Sequence, residues 1–274
     1  MDNGPVGIFD SGLGGLSVWR EVRKLLPAEK LVYFADSQHC PYGRKSPEEI
    51  TELARNITGM LVGKFGCKLI IVACNTATAA AIDTLRNEYP VPFVGMEPAI
   101  KQAALHTRTG CVGVLATKGT FDGRLYKATS RKYAKNIDVV VQIGDGLVEL
   151  VEQNMMDTSE AHQLLLKYLQ PMLSQNADQI VLGCTHYPFF KPQIEKIAGD
   201  GVEVIDPAPA VAKRAHELLE ADNLLTTGSV GTDLFVSSAD VMPMRLLLEN
   251  VIGIETAVTE VEWQNRKYAA LNRI

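Results

Sequence analysis

Ile70-Ile71-Val72-Ala73-Cys74-Asn75-Thr76 and Ile180-Val181-Leu182-Gly183-Cys184-Thr185-His186-Tyr187-Pro188 decide the reading of this chain. Each is a short apolar run that stops at a small residue, then a cysteine, then hydroxyl and amide groups. Such runs suit buried parallel strands covered on both faces. In open α/β sheets ligands sit just beyond the carboxyl ends of the strands, which is where both thiols fall. The two stretches lie in different halves of the chain, so two similar half-sites are expected to face one another across a cleft. Paired thiols can remove a proton from one face of a substrate and return one to the other.

The rest of the chain alternates strand and helix signals around these two stretches. Val6–Phe9 reads as a strand ending at Asp10-Ser11-Gly12-Leu13-Gly14-Gly15, followed by helical spacing from Leu16 to Leu26. A glycine-rich turn of this kind can cradle phosphate, but the third glycine of the dinucleotide pattern is replaced by Ser17 and no Walker lysine follows. Asp10 would repel a phosphate and attract an ammonium group, so an amino-bearing ligand is preferred. Leu31–Asp36 is the next strand. The loop Ser37–Gly43 follows, with Tyr42-Gly43 as a tip able to close over a ligand. Ser46 and Pro47 open a helix running to about Phe65. After the Cys74 strand a helix is expected over Thr78–Asn87, whose free N–H groups would hold a carboxylate and lower the thiol pKa.

A second unit begins near Pro98. Cys111–Ala116 is a strand that stops at Thr117-Lys118-Gly119-Thr120, repeating the Asp10 layout with hydroxyls, and a helix including Tyr126 follows. Strand Val139–Val141, a helix from Leu147 to Gln153 carrying Glu149 and Glu152, and a helix over Thr158–Leu173 lead to the Cys184 strand. Beyond it come strand Val202–Ile205 and helix Ala210–Leu219. The remaining segments, strand-like Leu234–Val236, helix Val241–Asn250 and strand-like Val258–Val261, are expected to return to the first unit. One lobe is therefore assigned to residues 1–97 completed by 208–274, and the other to 98–207, with intimate packing between them.

Composition bounds the function. The chain has 274 residues, 46% hydrophobic and 22% charged, with a net charge of −5, which gives no electrostatic reason to expect nucleic acid or a membrane surface. No apolar run approaches a membrane span, and Met1–Pro5 has neither the basic nor the apolar region of a signal peptide. Five cysteines without CxxC spacing suit neither a disulfide framework nor a zinc site, so free thiols in a reducing compartment are expected. His39-Cys40 is adjacent and unsupported as a metal pair, and reads as structural or surface. Cys67 and Cys111 read as small core residues. His186 is open to two readings, a satisfied core histidine or a general acid or ammonium partner beside Cys184. Glu152 taken alone reads as a solvated helix carboxylate.

Ile8–Gly15, Pro41-Tyr42-Gly43, Val72–Ala77 and Leu182–Pro188 closely resemble the corresponding blocks of the glutamate branch of the cofactor-independent aspartate/glutamate racemase superfamily. The resemblance runs from Val6 to about Ile254, and His186 stands where aspartate racemases usually carry an acidic residue. It implies two pseudo-symmetric α/β lobes with mainly parallel sheets and the active site in the cleft between them. It also implies a two-base racemisation of glutamate without pyridoxal phosphate or metal. Cys74 would take the α-proton of D-glutamate and Cys184 that of L-glutamate, assisted by Asp10 on one side and by His186 and Glu152 on the other. Substrate binding would fall to Asp10, Ser11, Pro41, Tyr42, Gly43, Asn75, Thr76, Thr117, Thr120, Thr185 and His186. A cytoplasmic homodimer supplying D-glutamate for peptidoglycan is the implied setting. The competing readings are racemisation of another acidic amino acid or a hydantoin, a two-lobed amino-acid-binding protein, and a thiol hydrolase, which leaves the second cysteine block unexplained.

Overall fold

A computed structural model describes residues 4–97, 99–134, 137–264 and 267–269. Pro98 and the chain ends 1–3 and 270–274, which the lobe assignment includes, lie outside them. The chain opens β1 (Val6–Asp10), α1 (Leu16–Leu25), β2 (Leu31–Ala35), α2 (Pro47–Gly63), β3 (Leu69–Val72), α3 (Asn75–Glu88) and β4 (Phe93–Gly95). Then come α4 (Ile100–His106), β5 (Cys111–Ala116), α5 (Lys118–Asp122), α6 (Arg124–Tyr133), β6 (Asp138–Ile143), α7 (Leu147–Glu152), α8 (Ser159–Leu173) and β7 (Gln179–Gly183). The last elements are α9 (Lys191–Ala198), β8 (Glu203–Ile205), α10 (Ala208–Ala221), β9 (Asp233–Ser237), α11 (Met242–Leu247), β10 (Val258–Glu260) and a hairpin of β11 (Glu262–Gln264) and β12 (Lys267–Ala269).

Two parallel sheets result. The first has the order β10-β9-β2-β1-β3-β4 and the second β6-β5-β7-β8. The central strands β1, β2, β3, β5 and β7 are buried along their whole length, which is why they read as unbroken apolar runs. Sheet order reverses direction beside β1 in the first sheet and beside β5 in the second, so loops diverge there and leave a crevice at the carboxyl ends of β1 with β3 and of β5 with β7. Asp10 ends β1, Cys74 follows β3 and Cys184 follows β7, so all three stand at these crevices.

Strands β9 and β10, which follow α10, join the first sheet. β9 pairs with β2 from Leu31–Asp233 to Ala35–Ser237, and β10 pairs with β9. One contiguous apolar cluster takes in Ile8, Trp19 and Tyr33 around the first sheet and Leu115, Leu182 and Tyr187 around the second. The two layers of chemistry are thus held by a shared core.

Several boundaries differ from the periodicity. The helix after Cys74 begins at Asn75, with Cys74 in extended conformation as its N-cap. The helix expected after Thr120 is broken at Gly123 into α5 and α6. Helix α11 stops at Leu247 and passes into a π turn over Leu248–Ile252. Helix α9 begins on polar residues; Pro192 in its first turn and the Ile194–Ile197 spacing are the signals that mark it.

Candidate active site

The site is built from three turns that meet. Asp10 is fully buried at the end of β1, and its carboxylate accepts the Gly15 amide at 2.9 Å and, more weakly, the Gly12 amide at 3.4 Å. Burial pushes this carboxyl above its usual range; the nearby His186 charge and the Gly15 amide act against that shift. Cys74 caps α3 through its sulfur, which accepts the Ala77 amide at 3.4 Å and points its S–H toward Ser11 Oγ at 3.7 Å. Burial, reinforced by the Asp10 charge, drives the Cys74 thiol well up, against the lowering by the Ala77 amide and Ser11. A helix N-terminus alone therefore does not deliver a thiolate here. Desolvation outweighs it, and Cys74 rests as a protonated thiol.

On the other side Cys184 Sγ lies 3.6 Å from His186 Nδ1, and His186 Nε2 lies 2.7 Å from Glu152 Oε1. Burial works to lower the His186 pKa, but its hydrogen bonds with Cys184, Cys40 and Glu152 outweigh that and hold it well above the ordinary value. These contacts favour the protonated ring, whose Nδ1 faces the Cys184 sulfur. Glu152 is no solvated carboxylate: the same Oε1 also accepts the Leu13 amide at 2.6 Å. The closeness of these groups requires glycine. A Cβ at Gly14 would stand 2.3 Å from His186 Nδ1, and one at Gly12 would stand 2.1 Å from Glu152 Oε1.

Cys74 and Cys184 border one small cavity together with Ser11, Pro41, Tyr42, Gly43, Asn75, Thr76, Thr117, Thr120, Thr185 and His186. Of the eleven residues expected to bind substrate, ten border this cavity; Asp10 does not, nor does Glu152, expected on the Cys184 side. Its volume of about 20 Å³ admits one water and no amino acid, so a ligand of that size enters only as the walls part. The cavity opens toward an outer cleft of about 750 Å³ with which it shares Pro41, Gly43, Thr76, Thr117 and Val148. Asn75, one of its lining residues, has its Oδ1 buried without a hydrogen-bond partner. Such an acceptor is costly unless something donates to it. The hydroxyls of Thr76, Thr117 and Thr120 form a triangle with sides of 3.0, 3.4 and 2.9 Å.

Two readings of the loop after β2 need correction. Tyr42 is no free tip: the residue is buried, its hydroxyl donates to Asp36 Oδ2 at 2.5 Å, and it already borders the cavity. Of the two roles expected for Cys40, structural or surface, the surface one does not hold. The residue is half-buried, and its sulfur, a Glu152 oxygen and a His186 ring nitrogen lie within 4.8 Å of one another. Sequence reasoning missed Asp36, which gathers Tyr42, His39 Nδ1 at 2.8 Å and Ser238 Oγ at 2.9 Å and so fixes the loop. A lone carboxylate ending β2, as Asp10 ends β1, was the available signal.

The family profile described as Asp/Glu/Hydantoin racemase matches residues 11–215. Over 257 residues the chain is 46% identical to a glutamate racemase of Stutzerimonas stutzeri (strain A1501), covering 93% of this chain and 96% of that one. The fold superimposes on a glutamate racemase isoform of Bacillus anthracis with a TM-score of 0.87 at 29% identity, covering 96% and 98% of the two chains. It superimposes on the Escherichia coli glutamate racemase, solved with L-glutamate and the activator UDP-MurNAc-Ala, with a TM-score of 0.83 at 30% identity over 94% and 98%.

Proposed function

This chain belongs to the Asp/Glu/Hydantoin racemase family, and from that premise we propose that it interconverts L- and D-glutamate through two cysteines. The observation that carries the mechanism is that Cys74 and Cys184 border one buried cavity, each beside its own proton-handling group. In the L-to-D direction the Cys184 thiolate takes the α-proton of L-glutamate, and the Cys74 thiol gives its proton to the opposite face of the same carbon. The product leaves with the two thiols in exchanged protonation states, so the reverse reaction starts from the state the forward one creates.

An α-proton is far less acidic than a thiol, so the carbanionic transition state needs aimed donors in a site closed to water. The burial of both thiols and the hydroxyls of Ser11, Thr76, Thr117, Thr120 and Thr185 supply both conditions. The unpartnered Asn75 oxygen and the Asp10 carboxylate suit the ammonium group, and the hydroxyls with the backbone N–H groups of Tyr42 and Gly43 suit the two carboxylates. His186, held by Glu152, donates to the Cys184 sulfur as it changes charge; Asp10 serves the Cys74 side. No step in this scheme calls on a metal or pyridoxal phosphate. Residues 1–97 with 208–274 form one lobe and 98–207 the other, their separation admitting substrate. A cytoplasmic homodimer supplying D-glutamate for peptidoglycan is the setting that fits this activity. Among the described residues no helix is long and apolar enough to cross a membrane.

The test uses protein freed of pyridoxal phosphate, incubated with L-glutamate in D2O while optical rotation and α-proton loss are followed together. Rotation decaying to zero with deuterium at the α-carbon is expected. No exchange from either enantiomer, with ligand still bound, refutes racemisation and leaves an amino-acid-binding protein. Exchange with aspartate alone moves the substrate and keeps the chemistry.

A further inference from the structure

Cys40 takes up and gives no proton in the mechanism above, yet it meets that mechanism's histidine and carboxylate. Its sulfur comes from the loop after β2, Glu152 from the end of α7, and His186 from the turn after β7. One ligand atom from each lies within 4.8 Å of the other two. We propose that Cys40, Glu152 and His186 bind a thiophilic divalent cation, with Zn²⁺ the best fit, and that its binding reversibly silences the site.

The donor set is one sulfur, one imidazole nitrogen and one carboxylate oxygen, a combination suited to Zn²⁺ and unsuited to Mg²⁺ or Ca²⁺. Thiolate and carboxylate together match the charge of the ion. Zinc bonds of about 2.0–2.3 Å place tetrahedral ligand atoms roughly 3.3–3.8 Å apart. The 2.7 Å separation of His186 Nε2 and Glu152 Oε1 would open slightly, and the other pairs would close by at most about 1.5 Å, within reach of side-chain rotation. Today a proton joins His186 to Glu152, and the cation would replace it. The Leu13 amide already orients the carboxylate from behind, as outer-shell partners do in metal sites. Gly12 leaves the space, since a Cβ there would lie 3.0 Å from Cys40 Sγ as well as against Glu152. The side chain of Glu152 keeps 19% of its surface exposed, which provides a way in.

The binding rests on these donors alone; the silencing also rests on the racemase reading. A histidine bound to the cation through one nitrogen cannot become an imidazolium, so it cannot serve the Cys184 sulfur through two protonation states. Turnover should therefore fall while the fold is unchanged.

The experiment titrates chelator-treated protein with Zn²⁺ against a chromogenic zinc indicator. One ion per chain is expected, with affinity at least tenfold weaker in Cys40→Ser and Cys40→Ala; the serine variant keeps the volume should the alanine variant fold poorly. With Co²⁺ as probe, a thiolate-to-cobalt charge-transfer band is expected in the parent and not in Cys40→Ser. Zn²⁺ should inhibit racemisation reversibly, EDTA restoring it, and Cys40→Ser, compared with its own zinc-free rate, should show at least tenfold lower sensitivity. The proposal is overturned by absence of a stoichiometric site, by unchanged affinity in both Cys40 variants, or by affinity lost in Cys74→Ser or Cys184→Ser with Cys40 intact. Stoichiometric Zn²⁺ binding through Cys40 in a protein that racemises nothing would refute the racemase reading and leave the metal site standing.

Discussion

Glu152 Oε1 lies 2.7 Å from His186 Nε2 and at the same time accepts the Leu13 amide at 2.6 Å. One carboxylate thus steadies the imidazolium and ties α7 to the turn after β1. Glu152→Gln keeps the size and removes the counter-charge, so kcat should fall by roughly 10²-fold, a loss of the size general acid–base catalysis supplies. L- and D-glutamate have equal free energy in solution, so kcat/KM must fall equally in both directions, and only kcat and KM taken separately can become asymmetric. Steady-state kinetics in both directions check this; kcat within twofold of the parent in each would remove Glu152 from the mechanism.

Gly14→Ala tests the same histidine from the opposite side. The new methyl would sit 2.3 Å from His186 Nδ1, the nitrogen that faces Cys184. The imidazole must move, so racemisation should drop at least tenfold, with an overpacking cost of about 1–3 kcal/mol in stability. Urea unfolding beside the racemisation assay separates the two effects. Parent activity in a folded variant would mean that the ring's placement does not matter.

The parallel strands were legible because apolar runs such as Leu69–Val72 and Cys111–Ala116 are buried on both faces, and the thiols because each follows such a run. What stayed hidden depends on contacts between distant segments. Asp36 meets Ser238, and Glu152 meets the backbone of Leu13; neither partner has a local pattern. The Cys74 thiol was misread for a different reason. The helix start is visible in sequence, whereas complete burial, which dominates its ionisation, is not. Cys40 looked peripheral because nothing in His39-Cys40-Pro41 announces that the loop folds inward onto His186.

Asp10 carries a pH signature. Burial raises its folded pKa above the ordinary 3.8. A carboxyl raised on folding contributes stability that is present below its unfolded value and lost as pH rises through its folded value. Above that window the buried charge is a burden, which Asp10→Asn removes. The variant should therefore be more resistant to urea than the parent at pH 7, lose that advantage toward pH 4, and racemise poorly. A parent more stable than the variant at pH 7 would show that the Gly12 and Gly15 amides need the charge more than burial opposes it.

Away from the site, Lys68 Nζ and Glu29 Oε2 form an ion pair at 2.8 Å with side chains 0% and 1% exposed. Lys68 also donates to the Leu224 carbonyl, and Glu29 accepts both the amide and the hydroxyl of Thr226, so the pair pins the segment leading back to β9. Lys68→Met leaves a buried carboxylate without its counter-charge and should cost about 3–5 kcal/mol. Thermal and urea unfolding measure it. A loss below about 1 kcal/mol would place this pair with exposed bridges in effect.

The two thiols can be told apart by where deuterium goes. Cys74→Ser and Cys184→Ser preserve volume, but a serine hydroxyl is too weak an acid to serve as either partner, so racemisation should fall by 10³-fold or more in each. The surviving thiol can still take a proton from its own face, exchange it with solvent and return it without inversion. With Cys184 facing L-glutamate, Cys74→Ser should wash deuterium into L-glutamate that remains L, and leave D-glutamate untouched. Cys184→Ser should do the reverse. Proton NMR with a chiral separation reads both at once. Exchange of the opposite enantiomers would swap the faces assigned to the two cysteines while keeping the two-thiol mechanism. Near-parent racemisation in either variant would end that mechanism.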